Sequence, residues 1–122
     1  MKDKYKMSDY NSLLLDLLSA MKEKNIATAF AAYEGTHSFG KVHTVCFEDV
    51  NKKSLYNAEI NNLIIHTVYQ VLSNKYPDWE MNEGSSGSIS FENKNDKLSV
   101  FCEHTEYFVS SQTDVLEFEV TA

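Results

Sequence analysis

The feature that most constrains the fold is an apolar stripe in the middle of the chain. Its members recur at the three- and four-residue intervals that place side chains on one side of an α-helix. They are Ile60, Leu63, Ile64, Val68, Val71 and Leu72. Asn57 is the predicted N-cap, and Tyr76-Pro77 ends the helix because proline disfavours helical backbone in the residue before it. The apolar side of this helix has to be buried against another layer of structure.

A further helix is predicted near the N-terminus, over residues 9–24. Its apolar residues also recur at helical spacing. They are Leu14, Leu17, Leu18 and Met21. Ser8 can cap this helix. Residues 1–7 precede it and are predicted to form a flexible N-terminal tail.

The other regular segments show the two-residue alternation of β-strands. In the first of them Thr28, Phe30 and Ala32 alternate with alanines, so one side is small enough for a helix to approach closely. The later strands are predicted at 41–48, 88–92, 97–103 and about 115–120, with a four-residue hairpin loop at 93–96. The last of these could form an edge of the sheet.

These segments predict an α+β fold in the order α-β-β-α-β-β-β. The expected architecture is an antiparallel four- to five-stranded sheet packed by two helices. A chain of 122 residues is the size of one ordinary domain, and no internal linker or repeat divides it. Residues 1–122 are therefore predicted to form a single domain.

The charge is negative and unevenly distributed. The net charge is −7, and all 11 basic residues are lysines. Residues 1–77 contain nine lysines and eight acidic residues, whereas residues 78–122 contain two lysines and ten acidic residues. Nucleic-acid binding normally requires clustered positive charge, so that class is disfavoured. An acidic surface instead suits a partner protein with a basic surface.

The sequence contains neither a membrane span nor a signal peptide that we can identify, so a cytoplasmic location is predicted. Cys46 and Cys102 are expected to be free, buried thiols, and a disulfide between them is an alternative that nothing in the sequence supports. Cys102 and His104 share a strand face, but they supply only two of the three or four ligands that zinc needs. His37, His43 or Cys46 could complete such a site only if the second strand lay next to the strand that carries Cys102 and His104. We predict no metal and no cofactor.

Two polar segments are candidates for a binding site. The first spans residues 34–40 and offers Glu34 and His37, together with two hydroxyl groups. The second spans residues 79–87 and offers Trp79, Glu80 and Asn82. Each is interpreted either as an ordinary turn-rich loop or as a binding loop carried by rigid strands.

These two segments also carry a resemblance. The chain reads Tyr33-Glu-Gly-Thr-His-Ser-Phe-Gly40 and then Trp79-Glu-Met-Asn-Glu-Gly-Ser-Ser-Gly87, with His104 after the following strands. It resembles a family of small bacterial and plasmid-borne domains of unknown function. Members of that family show Tyr-Asp-Gly-Ser-Gly-Asp-Ser-Gly and Trp-Glu-x-Asn-x-Gly-x-x-Gly, followed by two strands that end near a histidine.

The resemblance runs from the first helix to about Tyr107, and the second motif matches better than the first. Ser38-Phe39 stands where the family has Asp-Ser, so a role of that acid, such as binding a cation, does not carry over. The resemblance implies a shared fold and a shared surface, and it implies no reaction.

The favoured function is a small acidic module that binds another protein stoichiometrically. An inhibitor, an immunity or anti-defence protein, or an accessory protein of a bacterial defence or mobile-element system would act in this way. The predicted contact surface combines the loop at residues 78–87 with five acidic residues. They are Glu103, Glu106, Asp114, Glu117 and Glu119.

Two other functions stay open at this stage. The first is a small-ligand-binding protein or hydrolytic enzyme that uses Glu34, His37, Glu80, Asn82 and His104, although no hydrolase signature supports it. It requires the two polar segments to converge at one end of the sheet. The second is a homo-oligomer, such as a homodimer paired through the last strand, unless Glu117 and Glu119 guard that edge.

Overall fold

A computed structural model describes the backbone of residues 7–36, 39–76, 84–107 and 111–121. The helices are α1, Met7–Glu23, and α2, Ala58–Lys75. The strands are β1, Thr28–Thr36; β2, Phe39–Glu48; β3, Ser54–Leu55; β4, Ser85–Lys94; β5, Lys97–Tyr107; and β6, Ser111–Thr121. The predicted α+β class is confirmed. The predicted tail lies almost entirely outside the described residues.

All six strands join one antiparallel sheet in the order β3-β2-β1-β4-β5-β6. The expectation of four to five strands is therefore wrong, and β3 is the strand that was not predicted. The Asp49 carboxylate accepts hydrogen bonds from the backbone N–H groups of Asn51 and Lys53. This turn brings Ser54 and Leu55 back alongside β2, and two residues are too few to show an alternating pattern.

The strands are longer than their sequence pattern suggested, and several predicted loop residues belong to them. The hairpin between β4 and β5 turns on two residues, Asn95 and Asp96, rather than four. Both have positive φ angles, 53° and 60°, as a two-residue type I′ turn requires. Similarly, Ser85–Gly87 lie in β4 and Glu34–Thr36 lie in β1, because antiparallel pairing with neighbouring strands satisfies their backbone groups.

Both predicted helices are present, with small differences at their ends. In α1 the helix already includes Ser8, so this residue does not cap it. Its C-terminus is closed by Asn25 in the left-handed region, with hydrogen bonds from Asn25 N–H to Lys22 C=O and from Ile26 N–H to Met21 C=O. That pattern is a Schellman motif. At α2 the predicted Asn57 cap is confirmed, and its side chain accepts from the Ile60 N–H at 3.0 Å.

The two helices pack side by side on one face of the sheet, which we call the inner face. The apolar stripe of α2 and the leucines of α1 are buried there, against alternate strand residues. In β1 these are Ala29, Ala31 and Tyr33, so the small face predicted for this strand does lie against helices. The other residues of the strands point to the opposite side, the outer face, and the alternation shifts once, where β2 carries an extra residue between Val42 and Thr44.

The two cysteines lie on opposite faces of the sheet. Cys102 is buried on the inner face, but Cys46 is exposed, so the expectation of two buried thiols is wrong for Cys46. Cys46 pairs across strands with Phe30 and therefore shares the outer face with it. Within the described residues, no helix is both long and apolar enough to cross a membrane.

The cap of α2 provides a test of the fold. Replacement of Asn57 by alanine leaves the Ile60 N–H without its acceptor, and we expect the free energy of unfolding to fall by about 1 kcal/mol. Asn62→Ala, at an exposed position of the same helix, should leave stability unchanged or raise it slightly, since alanine has the highest helix propensity. Urea denaturation measures both variants, and equal losses would contradict the capping role.

Candidate functional site

A row of polar residues crosses the inner face near one end of the sheet. Tyr33 lies opposite Gly87, Gly87 lies opposite His104, and His104 lies opposite Asp114. Directly paired residues on neighbouring antiparallel strands project from the same face. We call these four residues the polar row; they come from β1, β4, β5 and β6.

Gly87 allows Tyr33 to reach His104. A Cβ atom at position 87 would lie 2.6 Å from the Tyr33 hydroxyl oxygen and 2.2 Å from the Glu103 carbonyl oxygen. Both distances are far below van der Waals contact, and one of the obstructing atoms is backbone. The glycine is therefore required for close approach of the tyrosine ring, which is a known use of glycine within a strand.

His104 is buried, and both nitrogen atoms of its ring have a hydrogen-bond partner. The Tyr33 hydroxyl lies 2.5 Å from Nδ1, and a carboxylate oxygen of Glu106 lies 3.3 Å from Nε2. A neutral imidazole has one donor and one acceptor nitrogen. The arrangement fits the tautomer in which Tyr33 donates to Nδ1 and Nε2–H donates to Glu106.

Tyr76 covers His104 from the helix layer. Its ring stacks on the imidazole with 4.0 Å between centroids, and its hydroxyl donates to the Asp114 carboxylate at 2.8 Å. Tyr76 follows the last residue of α2, and its backbone is no longer helical, with φ at −137° and ψ at 68°. Pro77 after it disfavours a helical conformation at position 76, so the predicted helix stop also directs this ring onto the sheet.

Burial around His104 favours the neutral forms of the imidazole and of the two tyrosine hydroxyls beside it. Burial lowers the pKa of His104, and Glu106 and Asp114 oppose part of that shift. Burial also raises the pKa of Tyr33, and burial together with the Asp114 hydrogen bond raises that of Tyr76. Both phenols therefore stay protonated at neutral pH, and His104 is held as an uncharged ring.

Cys102 is poorly placed for nucleophilic chemistry. Burial raises the pKa of its thiol to about 12, and a reactive cysteine needs an exposed thiolate. It does share the inner face with His104, as predicted, and also with Leu98 and Val100. Among the residues whose placement is described, His, Cys, Asp and Glu form no group of three or more that could hold a metal ion.

The outer face carries a groove about 880 Å³ in volume. We call it the outer groove; it crosses β2, β1, β4, β5 and β6. Phe30 and Phe101 lie in it and remain 38% and 37% exposed. Of the described residues that line it, four are glutamates and none is a lysine. The glutamates are Glu48, Glu92, Glu117 and Glu119.

Sheet register explains why these residues meet. Phe30 lies opposite Ser90, Ser90 lies opposite Phe101, and Phe101 lies opposite Glu117. The alternation within each strand shows that its residues share a face. It does not show which strands are neighbours, so Phe30, Ser90, Phe101, Glu48 and Glu92 were not recognised as one site from the sequence.

The structure separates the acidic residues of the predicted contact surface into two groups. Glu103, Glu117 and Glu119 project from the outer face, since they pair with Ser88, Phe101 and Ser99 there. Glu106 and Asp114 belong to the inner-face side and contact His104 and Tyr76.

The residues of the predicted ligand or catalytic site are not all described. Glu34 is exposed on the outer face and lies opposite Lys41, whereas His104 is buried on the inner face. The sheet therefore lies between these two residues. His37, Trp79, Glu80 and Asn82 lie outside the described residues.

No family model, no curated protein and no solved structure matches this chain. The resemblance to small bacterial and plasmid-borne domains therefore stays a prediction from the two motifs.

Gly87→Ala tests the close packing in the polar row. The added methyl group has to displace both Tyr33 and the backbone of β5, and overpacking of this kind costs about 1–3 kcal/mol. Ser88→Ala, at the next residue of β4 and on the outer face, should change stability by less than about 0.5 kcal/mol. If chemical denaturation gave the same loss of unfolding free energy for both variants, the close approach of Tyr33 to Gly87 would not contribute to stability.

His104 predicts a pH-dependent stability with a defined sign. Its pKa is lowered in the folded state, so below the unfolded value of about 6.5 the unfolded chain takes up a proton that the folded chain excludes. The free energy of unfolding should therefore fall as the pH falls below 6.5 toward the folded pKa. In urea denaturation at pH 7.5 and 5.5, His104→Gln should lose less stability between the two pH values than the wild type.

His66→Gln is the matched control for this experiment, because His66 is exposed on α2. This variant should keep the wild-type dependence on pH. A wild-type dependence that persists unchanged in His104→Gln would assign the effect to other groups.

Proposed function

We propose that this protein is a small acidic binding module that contacts a partner protein through the outer groove. The observation that carries the proposal is the combination of exposed aromatic rings with acidic walls in that groove. The partner presents a basic surface and binds stoichiometrically. This mode of action suits an inhibitor, an immunity or anti-defence protein, or an accessory protein of a bacterial defence or mobile-element system.

The exposed aromatic rings supply the apolar part of the argument. Phe30 and Phe101 are large side chains on a face where most neighbours are serine, threonine or glutamate. Aromatic residues near the centre of an interface typically contribute much of the binding energy. Polar residues around them then help to exclude water without contributing strongly themselves.

The charge distribution supports a basic partner. Six described acidic residues project from the outer face, and three lysines, Lys41, Lys94 and Lys97, accompany them near the ends of the strands. Lys97 lies 3.8 Å from Glu119. The acidic residues are Glu34, Glu48, Glu92, Glu103, Glu117 and Glu119. Their excess of negative charge accelerates encounter with a basic surface and disfavours acidic competitors.

The edge position of β6 favours self-association as a second candidate. In the sheet β6 pairs with β5 on one side and forms the edge on the other, and it is 11 residues long. An edge of this length can pair with a second copy. Glu117 and Glu119 project from this strand, and a symmetric antiparallel pair would bring such charges close together.

Charge reversal tests the binding module. In affinity capture from the native host, a stoichiometric partner should bind the wild type and wash off at about 0.3 M salt, because screening weakens exposed charge contacts. Glu117→Lys with Glu119→Lys should slow association at least tenfold. Asp16→Lys with Glu23→Lys makes the same charge change at exposed positions of α1 and should preserve association.

The comparison of these two double variants decides the proposal. Equal binding by both, or equal loss in both, would mean that the outer groove does not recognise the partner. Sedimentation of the purified protein tests the second candidate, since a dimer paired through β6 would sediment with twice the mass of the monomer.

A further inference from the structure

The occupant of the outer groove has to be recognised through side chains. The groove floor is formed by β1, β4 and β5, and each of these strands pairs with a neighbour on both sides. Their backbone N–H and C=O groups are therefore used in the sheet ladders. A partner strand cannot add to this surface by main-chain pairing, so selectivity lies with the side chains that project into the groove.

Phe30, Ser90 and Phe101 form a slot within the groove. They lie in register on three adjacent strands, with the small serine between the two aromatic residues. Neighbouring strands are about 4.8 Å apart, so the two phenylalanine backbones are separated by about 9.6 Å. A flat group stacked between two rings needs about 7 Å, which is two contacts of about 3.5 Å. The spacing of the two backbones therefore leaves room for one planar group between the side chains of Phe30 and Phe101.

The charges around the slot select a cation. Glu92 lies two residues beyond Ser90 on the same face of β4, and Glu117 lies directly opposite Phe101. Among the described residues of the lining, the only charged ones are glutamates. A cation placed over an aromatic ring is also favoured by the electrostatics of the ring face.

A guanidinium group meets both requirements. It is planar, it stacks on aromatic faces, and its N–H groups can bind a carboxylate through two hydrogen bonds. A lysine ammonium is compact and strongly hydrated, so it gains less from a narrow space between two rings.

We propose that the slot binds the guanidinium group of an arginine from the partner, stacked between Phe30 and Phe101 and paired with Glu92 or Glu117. This inference rests on the proposed function and names the side chain that the module recognises. The arginine acts as the central anchor, and the acidic residues nearer the edge of the sheet guide the basic surface that surrounds it.

Blocked tripeptides test the slot directly. Acetyl-Gly-Arg-Gly-amide should shift the NMR signals of Phe30, Phe101 and Ser90 in a saturable manner. The lysine peptide should bind at least fivefold more weakly, and the glutamine peptide should give no saturable shift. Equal shifts from all three peptides would overturn the proposal.

Filling the slot should weaken this binding strongly. Ser90→Leu places a bulky side chain between the two rings, and the arginine peptide should bind at least tenfold more weakly. Ser88→Leu adds the same side chain to the same face of β4 outside the groove lining and should bind normally. Phe30→Leu keeps an apolar side chain but removes the aromatic ring on which the guanidinium group would stack. It provides a second loss-of-binding variant if Ser90→Leu does not fold.

The partner experiment separates this inference from the proposed function. If Glu117→Lys with Glu119→Lys loses the partner but Ser90→Leu and Phe30→Leu retain it fully, the binding module stands and the slot is wrong. If the slot variants lose the arginine peptide while no partner responds to charge reversal, the guanidinium site stands and the protein-binding function is wrong.

Discussion

The two helices bury one face of the six-stranded sheet, and this burial determines the direction of nearly every side chain on the strands. In each strand the residues with apolar neighbours in α1 and α2 point inward, and the alternate residues point outward. A slip of one residue in any strand would exchange the two sets. The outer groove therefore depends on the inner core, because core packing holds Phe30, Phe101 and the glutamates on the outer side.

The polar row is an exception within the apolar inner face. Isolated burial of the His104 imidazole and the Tyr33 phenol would be costly, but these two groups hydrogen-bond to each other. Half-buried Tyr76 stacks on His104 and donates to the exposed Asp114. Gly87 provides the space that this arrangement needs. The polar row joins β1, β4, β5 and β6, and Tyr76 connects it to the end of α2, so we assign this arrangement a structural role in aligning the helix layer with the sheet.

Much of the fold follows from local pattern, whereas the groove does not. Three features could be predicted from the sequence because each depends on residues within a few positions of one another. They are the apolar stripe of α2, the Asn57 cap and the alternation in β5. The short β3 strand and the two-residue turn at Asn95-Asp96 were missed, because pairing and backbone geometry define them more than residue type. The extra strand residues at 34–36 and 85–87 were missed for the same reason.

The sequence by itself determined the α+β class, the two helices and the excess of acidic residues in the last third of the chain. It also determined that Cys102 and His104 project from the same face of their strand. Only the tertiary structure decided that β1 lies between β2 and β4. That order brings Phe30 within two strands of Phe101, and the register of the strand pairs places Glu34 and His104 on opposite faces. Period and composition are local properties of a chain, but strand order joins residues about 70 positions apart, and it is set by the packing of the whole sheet against its helices.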